Sequence, residues 1–109
     1  MLVFKITIYY TKTMGRYPTL LHKQLFLAIL KLKNEKECSD FLRDLCTIKE
    51  LDDLAVRWQI AKLLNEKKLS YEAIAEKCLV STTTVTRVSH WLNHGMGGYK
   101  LVLKRLIKE

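Results

Sequence analysis

A chain of 109 residues suffices for one buried core and not for two. With 49% apolar and 28% charged residues it has the composition of a folded domain with an ordinary soluble surface. The net charge of +8 favours a polyanionic partner, but its distribution is uneven: residues 1–33 carry six basic and no acidic side chains, residues 34–69 seven against eight, residues 70–98 two against two, and residues 99–109 four against one.

Residues 1–18 read as an N-terminal extension. Val3 to Tyr10 is β-branched and aromatic and alternates in part, which fits a strand or an unanchored, disordered tail, and Met14-Gly15-Arg16-Tyr17-Pro18 ends it. Lys5 interrupts the only early apolar run, so no signal peptide is expected and the chain reads as cytoplasmic. No apolar stretch approaches the length of a membrane span. One proline and four glycines leave room for long helices.

From residue 19 to residue 109 the period is helical. Leu21, Leu25, Ala28, Ile29 and Leu32 form one stripe. Asn34 followed by Glu37 makes a start of the capping-box kind, with Cys38, Phe41, Leu42 and Leu45 sharing a face. Thr47 and Glu50 make a second such start. The helix that follows puts Leu51, Leu54, Ala55, Trp58 and Ala61 together, with Leu64 one turn on and Lys67 and Lys68 near its C-terminal end. A further pair of helices spans about residues 70–93. Gly95, Gly97 and Gly98 then break the chain before a last amphipathic helix with Tyr99, Val102, Leu103 and Leu106. Cys38, Cys46 and Cys78 show no CxxC spacing, are odd in number and fall on apolar faces, so they read as reduced core residues.

The pair at residues 70–93 fits a helix-turn-helix. With Tyr71 as its first position, the close-crossing small residue is Ala75. The seam is Ile74, Cys78, Val80, Val85 and Val88. Ser70 and Ser81 are placed to cap the two helices. The outward face of the second helix carries Ser81, Thr82, Thr83, Thr84, Thr86 and Arg87, short hydroxyls and a guanidinium that reach phosphates and base edges in a major groove. The same pattern fits a plain helical hairpin with a solvated threonine face, but so many threonines weaken a helix unless something uses them. Leu79 departs from the pattern. A glycine with positive φ is usual in that turn, and a leucine held there costs roughly 1–2 kcal/mol unless the turn is wound differently.

The run Thr83-Thr84-Val85-Thr86-Arg87-Val88-Ser89, with Leu92 behind it, is similar to the recognition segment of the Trp repressor. Further blocks resemble the Trp-repressor-related proteins of the YerC/YecD type. They are Leu25-Phe26-x-Ala28-Ile29-Leu30; Cys38-x-x-Phe41-x-x-Asp44-Leu45-Cys46-Thr47-Ile48-x-Glu50-Leu51; Arg57-x-x-x-Ala61-Lys62-Leu63-Leu64; and Gly98-Tyr99-x-Leu101-Val102-Leu103. The resemblance covers about residues 20–107. It implies an all-helical, intertwined homodimer of a bacterial-type DNA-binding regulator. It also matches Arg57 and Arg87 to the arginines that hold the tryptophan corepressor, and Thr84 to a threonine beside that pocket. Two positions depart. The glycine that leaves room for the ligand is Val88 here, and the serine that engages its amino group is Trp91. Valine and an indole occupy volume the amino acid needs, with the Trp91 ring offered in place of a ligand ring. L-Tryptophan is therefore not the expected effector, and no other effector is indicated.

His90 and His94 lie four residues apart, but with no third ligand nearby they read as a helix end facing solvent, and no metal site is expected. His22 is isolated. No motif around Cys46 marks a nucleophile, and no glycine-rich phosphate loop or acid pair appears, so neither a cofactor nor an enzyme is indicated. Trp58 and Trp91 read as core or interface anchors. The apolar stripes of residues 20–32, 37–46 and 50–64 exceed what one helix-turn-helix covers, which favours a two-fold homodimer. The expectation is an all-α, six-helix Trp-repressor-like domain acting on double-stranded DNA as a sequence-specific transcriptional regulator, a repressor, and not an enzyme. The alternative is an interaction or oligomerisation module that has lost DNA binding, motivated by the neutral charge of residues 70–98 and by Leu79.

Overall fold

A computed structural model describes residues 16–107. The strand or tail expected at Val3–Tyr10 lies outside those residues. Among them there are six α-helices and no strand. They are α1 (Leu20–Ile29), α2 (Glu35–Leu45), α3 (Ile48–Glu66), α4 (Tyr71–Cys78), α5 (Thr82–His94) and α6 (Gly98–Ile107). No helix among the described residues is long and apolar enough to cross a membrane. The chain divides into two compact units, the first ending at Leu45 and the second beginning at Cys46.

In the first unit α1 starts at a capping box that the sequence reading missed. The Thr19 hydroxyl accepts from the His22 N–H at 3.2 Å, and Nδ1 of His22 accepts from the Thr19 N–H at 3.0 Å. Histidine takes the reciprocal role that glutamate or glutamine usually fills, so the sequence carries no standard box signature here. The expected start at Asn34 is present in altered form. Asn34 Oδ1 accepts from the Glu37 N–H at 2.9 Å, while the Glu37 carboxylate accepts from the N–H of Lys33 at 2.8 Å, one residue earlier than a standard box. Neither α1 nor α2 buries a single side chain.

The second unit holds the core. Its α3 opens with the expected Thr47–Glu50 capping box: Glu50 Oε1 accepts from the Thr47 N–H at 2.8 Å, and the Thr47 hydroxyl accepts from the Glu50 N–H at 3.1 Å. Those bonds from Thr47, the backbone N–H foremost, hold the Glu50 carboxyl below its ordinary value of 4.5. The buried cluster is Ile60, Ala61, Leu63, Ile74, Ala75, Val85 and Val88, with Val56, Trp58, Leu64, Cys78, Val80 and Tyr99 packed around it. Ile60, Ile74 and Val85, one from each of α3, α4 and α5, are completely shielded.

The buried face of α3 matches the expected one in its second half, where Ala61 is buried and Trp58 and Leu64 pack on the core, and departs from it in the first. Leu54 and Ala55 are exposed and Leu51 only partly covered, whereas Ile60 and Leu63 are buried. The reason is length: α4 is 8 residues and α5 is 13, against 19 for α3. The short helices meet the C-terminal half of α3 and leave its first turns uncovered. Of the three cysteines, all partly buried, only Cys78 packs against the core cluster.

The turn between α4 and α5 resolves the Leu79 question. Leu79 adopts the left-handed conformation, φ 57° and ψ 46°. Its N–H donates to the Glu76 carbonyl at 3.3 Å, and the Val80 N–H donates to the Ala75 carbonyl at 3.0 Å. Together these form a Schellman termination, with Val80 folded back on the core. The geometry is the one glycine usually supplies, imposed on a leucine whose side chain is 91% exposed. Leu79→Gly should therefore raise stability by about 0.5–1 kcal/mol, the relief of left-handed strain less the extra backbone entropy of glycine. Thermal melting checks this; a lower midpoint would mean that the Leu79 side chain is held by contacts its exposure does not show.

Candidate nucleic-acid interface

Helix α5 begins at Ser81, whose hydroxyl accepts from the Thr84 N–H at 3.2 Å, and α4 begins in the same way at Ser70, which accepts from Ala73 at 3.1 Å. Both expected caps are present. On its inner face α5 buries Val85, Val88, Ser89 and Leu92. The 3.6-residue period then leaves Thr82, Thr83, Thr86, Arg87, His90, Trp91, Asn93 and His94 exposed.

The six residues expected on the outward face are not equivalent. Thr84 is only partly exposed; its hydroxyl pairs with that of Ser81 at 3.1 Å, and it turns into a neighbouring cleft. Thr86 donates to the Thr82 carbonyl at 3.0 Å, one turn back, as threonines in helices often do. Ser81 serves the cap. Among the described residues, Thr82, Thr83 and Arg87 have side-chain polar groups engaged in no hydrogen bond or ion pair, which leaves their donors available to a partner. The first turn of α5 contains no acidic residue, and its N-terminus carries the positive end of the helix dipole.

The residues matched to an effector pocket do come together. Arg57, Thr84, Arg87, Val88 and Trp91 line one cleft of about 1120 Å³ between α3, α5 and α6, with Asp53, Trp58 and Tyr99 among its other walls. Trp58 and Tyr99 stack at 6.2 Å between ring centroids, tying α3 to α6. Val88 is buried where the pattern would have glycine, and it fills space beneath the cleft. Trp91 is 55% exposed and stands on the wall, its ring edge-on to His90 at 5.9 Å. The indole does not plug the cleft in a single chain. Gly95 follows because a side chain there would strike the carbonyl of Trp91. His90 and His94 lie 5.5 Å apart between ring centroids at the exposed end of α5.

A polar set behind α5 escaped the sequence reading. The Tyr71 hydroxyl meets the Ser89 hydroxyl at 2.5 Å across 18 residues of chain, and Asn93 Nδ2 donates to the Ser89 carbonyl at 3.0 Å and to its hydroxyl at 3.3 Å. Only the i, i+4 spacing of Ser89 and Asn93 is visible in the sequence; nothing local marks Tyr71 as their partner.

A long helix carrying a short pair, capped and turned as described, places the molecule among small all-helical domains built around a helix pair. The comparisons are more specific. The family model described as Trp repressor protein matches residues 21–107, and the chain belongs to that family. It is 43% identical over 86 residues to YerC of Bacillus subtilis strain 168, a protein described as uncharacterized, across 79% of this chain and 81% of that one. Its fold matches the crystal structure of a TrpR-like protein from Eubacterium eligens with a TM-score of 0.77 and 46% identity, covering 82% of this chain and 91% of the other. A candidate Trp repressor from Staphylococcus aureus matches with a TM-score of 0.72 and 38% identity, over 80% and 86% of the two chains. The family and the all-helical class expected from the sequence both hold.

Proposed function

We propose that the chain is a sequence-specific DNA-binding transcriptional regulator of the cytoplasm, a repressor that uses α4 and α5 as a helix-turn-helix in a homodimer. The observation that carries this reading is the exposed trio Thr82, Thr83 and Arg87 on the first turns of α5, held rigid by the buried seam beneath it. In helix-turn-helix proteins the first residues of the second helix meet base edges. The unit itself is neutral, so phosphate attraction falls to the basic residues of 1–33 and 99–109.

Selection of bound genomic fragments, followed by titration at several salt concentrations, tests the proposal. Affinity for the selected site should exceed that for random DNA and fall steeply with salt. Thr83→Ala and Arg87→Ala should each weaken the selected site by roughly 1–3 kcal/mol if the side chain reads a base. Both side chains are exposed, so melting should be nearly unchanged. Absence of selective binding would favour the alternative, an interaction module that has lost DNA affinity.

The homodimer rests on uncovered apolar surface. Phe26, Leu27, Ile29, Leu30, Leu45, Ile48 and Leu54 are all exposed, and no side chain of α1 or α2 is more than partly buried. Amphipathic helices need a surface to bury against. An intertwined two-fold dimer would provide it and present two copies of α5 to two half-sites. Light scattering at micromolar concentration should return twice the subunit mass, whereas a monodisperse monomer would exclude the arrangement.

L-Tryptophan is not the effector in this reading. A corepressor acts only through its preference for one state and needs a complementary pocket in that state. Val88 takes the space below the cleft, and Trp91 has no group to hold an amine, although Arg57 and Arg87 remain beside it. Titration calorimetry at millimolar tryptophan should show no binding heat, with DNA affinity unchanged. Tighter DNA binding on adding tryptophan would refute this.

A further inference from the structure

We propose that Tyr71 and Ser89 form a brace that fixes the pitch of α5 on α4, making Tyr71 a positioning residue for DNA readout; this rests on the DNA-binding reading above. Two helices joined at one end are held by their turn and by their seam. The turn at Leu79 and Val80 fixes the closed end through its two backbone hydrogen bonds. The seam of Ile74, Ala75, Val85 and Val88 is apolar, and burial of this kind is non-directional, so it opposes separation far more than small rotations.

The open end needs a directional contact. Tyr71 is the first residue of α4, about 10 Å along the helix from Cys78 at the standard rise. Ser89 lies in the second half of α5, a comparable distance from the turn. Their hydroxyls meet at 2.5 Å, at the short end of the range for O–H···O bonds. Ser89 is more than nine-tenths buried, while Tyr71 reaches it from a partly exposed position at the start of α4. Asn93 holds that hydroxyl and the Ser89 carbonyl from one turn below. The brace borders a cleft of about 390 Å³ whose walls include Leu64 and Leu92 beside Asn65 and Lys100, and the Tyr71–Ser89 hydrogen bond is the directional contact there between α4 and α5.

Tyr71→Phe removes one oxygen and keeps the ring, and Ser89→Ala removes the other. Affinity for the selected genomic site and for random DNA is measured for both variants and their combination, with residual dipolar couplings of the α4 and α5 amides recorded without DNA. Each single variant should weaken selected-site binding by roughly three- to tenfold, the most that one hydrogen bond can hold back. Random-DNA binding should stay within about twofold, because it depends on charge that the variants leave alone. The double variant should be no weaker than the worse single, as expected of two halves of one contact. The couplings should report a changed α4–α5 angle while each helix stays intact. Equal losses on selected and random DNA, additive losses in the double variant, or unchanged couplings would overturn the proposal. If the parent protein shows no selective DNA binding, the regulator reading fails, and the couplings alone decide whether the brace sets the angle.

Discussion

The outward face of α5 is defined by what its inward face touches. Ile60, Ile74 and Val85 meet with no solvent exposure, and each comes from a different helix. Their contact decides which face of α5 turns inward, and so leaves Thr82, Thr83 and Arg87 on the outer side. Loss of a buried aliphatic side chain at such a point typically costs 2–5 kcal/mol. That is a large share of the stability of a small domain. Ala75 belongs to the same arrangement, because a larger side chain at 6% exposure would push α5 away from α4.

The turn shows how firmly this packing dictates backbone. Leucine is a poor occupant of left-handed space, yet Leu79 takes it because both turn hydrogen bonds and the inward Val80 require it. The departure from glycine is absorbed as local strain. It does not rewind the turn, which removes one motive for reading the helix pair as an altered, non-binding module.

The threonines illustrate a division that exposure alone would hide. Thr84 and Thr86 direct their hydroxyls to Ser81 and to the helix backbone, and Thr84 also borders the large cleft. Thr82 and Thr83 do not. The cleft itself combines two exposed arginines with the stacked Trp58 and Tyr99, while Val88 and Trp91 alter its floor and rim. Shared family membership therefore leaves ample room for a different ligand preference, since pocket volume and polar partners rather than fold decide what binds.

Helix periodicity, the caps at Thr47, Ser70 and Ser81, the seam of the helix pair and the family were all legible in the sequence, because each depends on residues within a few positions of one another or on a spacing fixed by the helical repeat. The His22 cap was equally local but used an unusual residue. The buried face of α3 was legible only in part: Trp58, Ala61 and Leu64 of the expected stripe do pack inward, but Leu51, Leu54 and Ala55 are as good a pattern as Ile60 and Leu63, and only the reach of the short helices α4 and α5 chose between them. The meeting of Arg57, Arg87 and Thr84 at one cleft was legible only through the family resemblance, while the Tyr71–Ser89 contact and the Trp58–Tyr99 stack belong to tertiary structure alone. They join groups many residues apart, and their geometry follows from how helices cross, which no local pattern encodes.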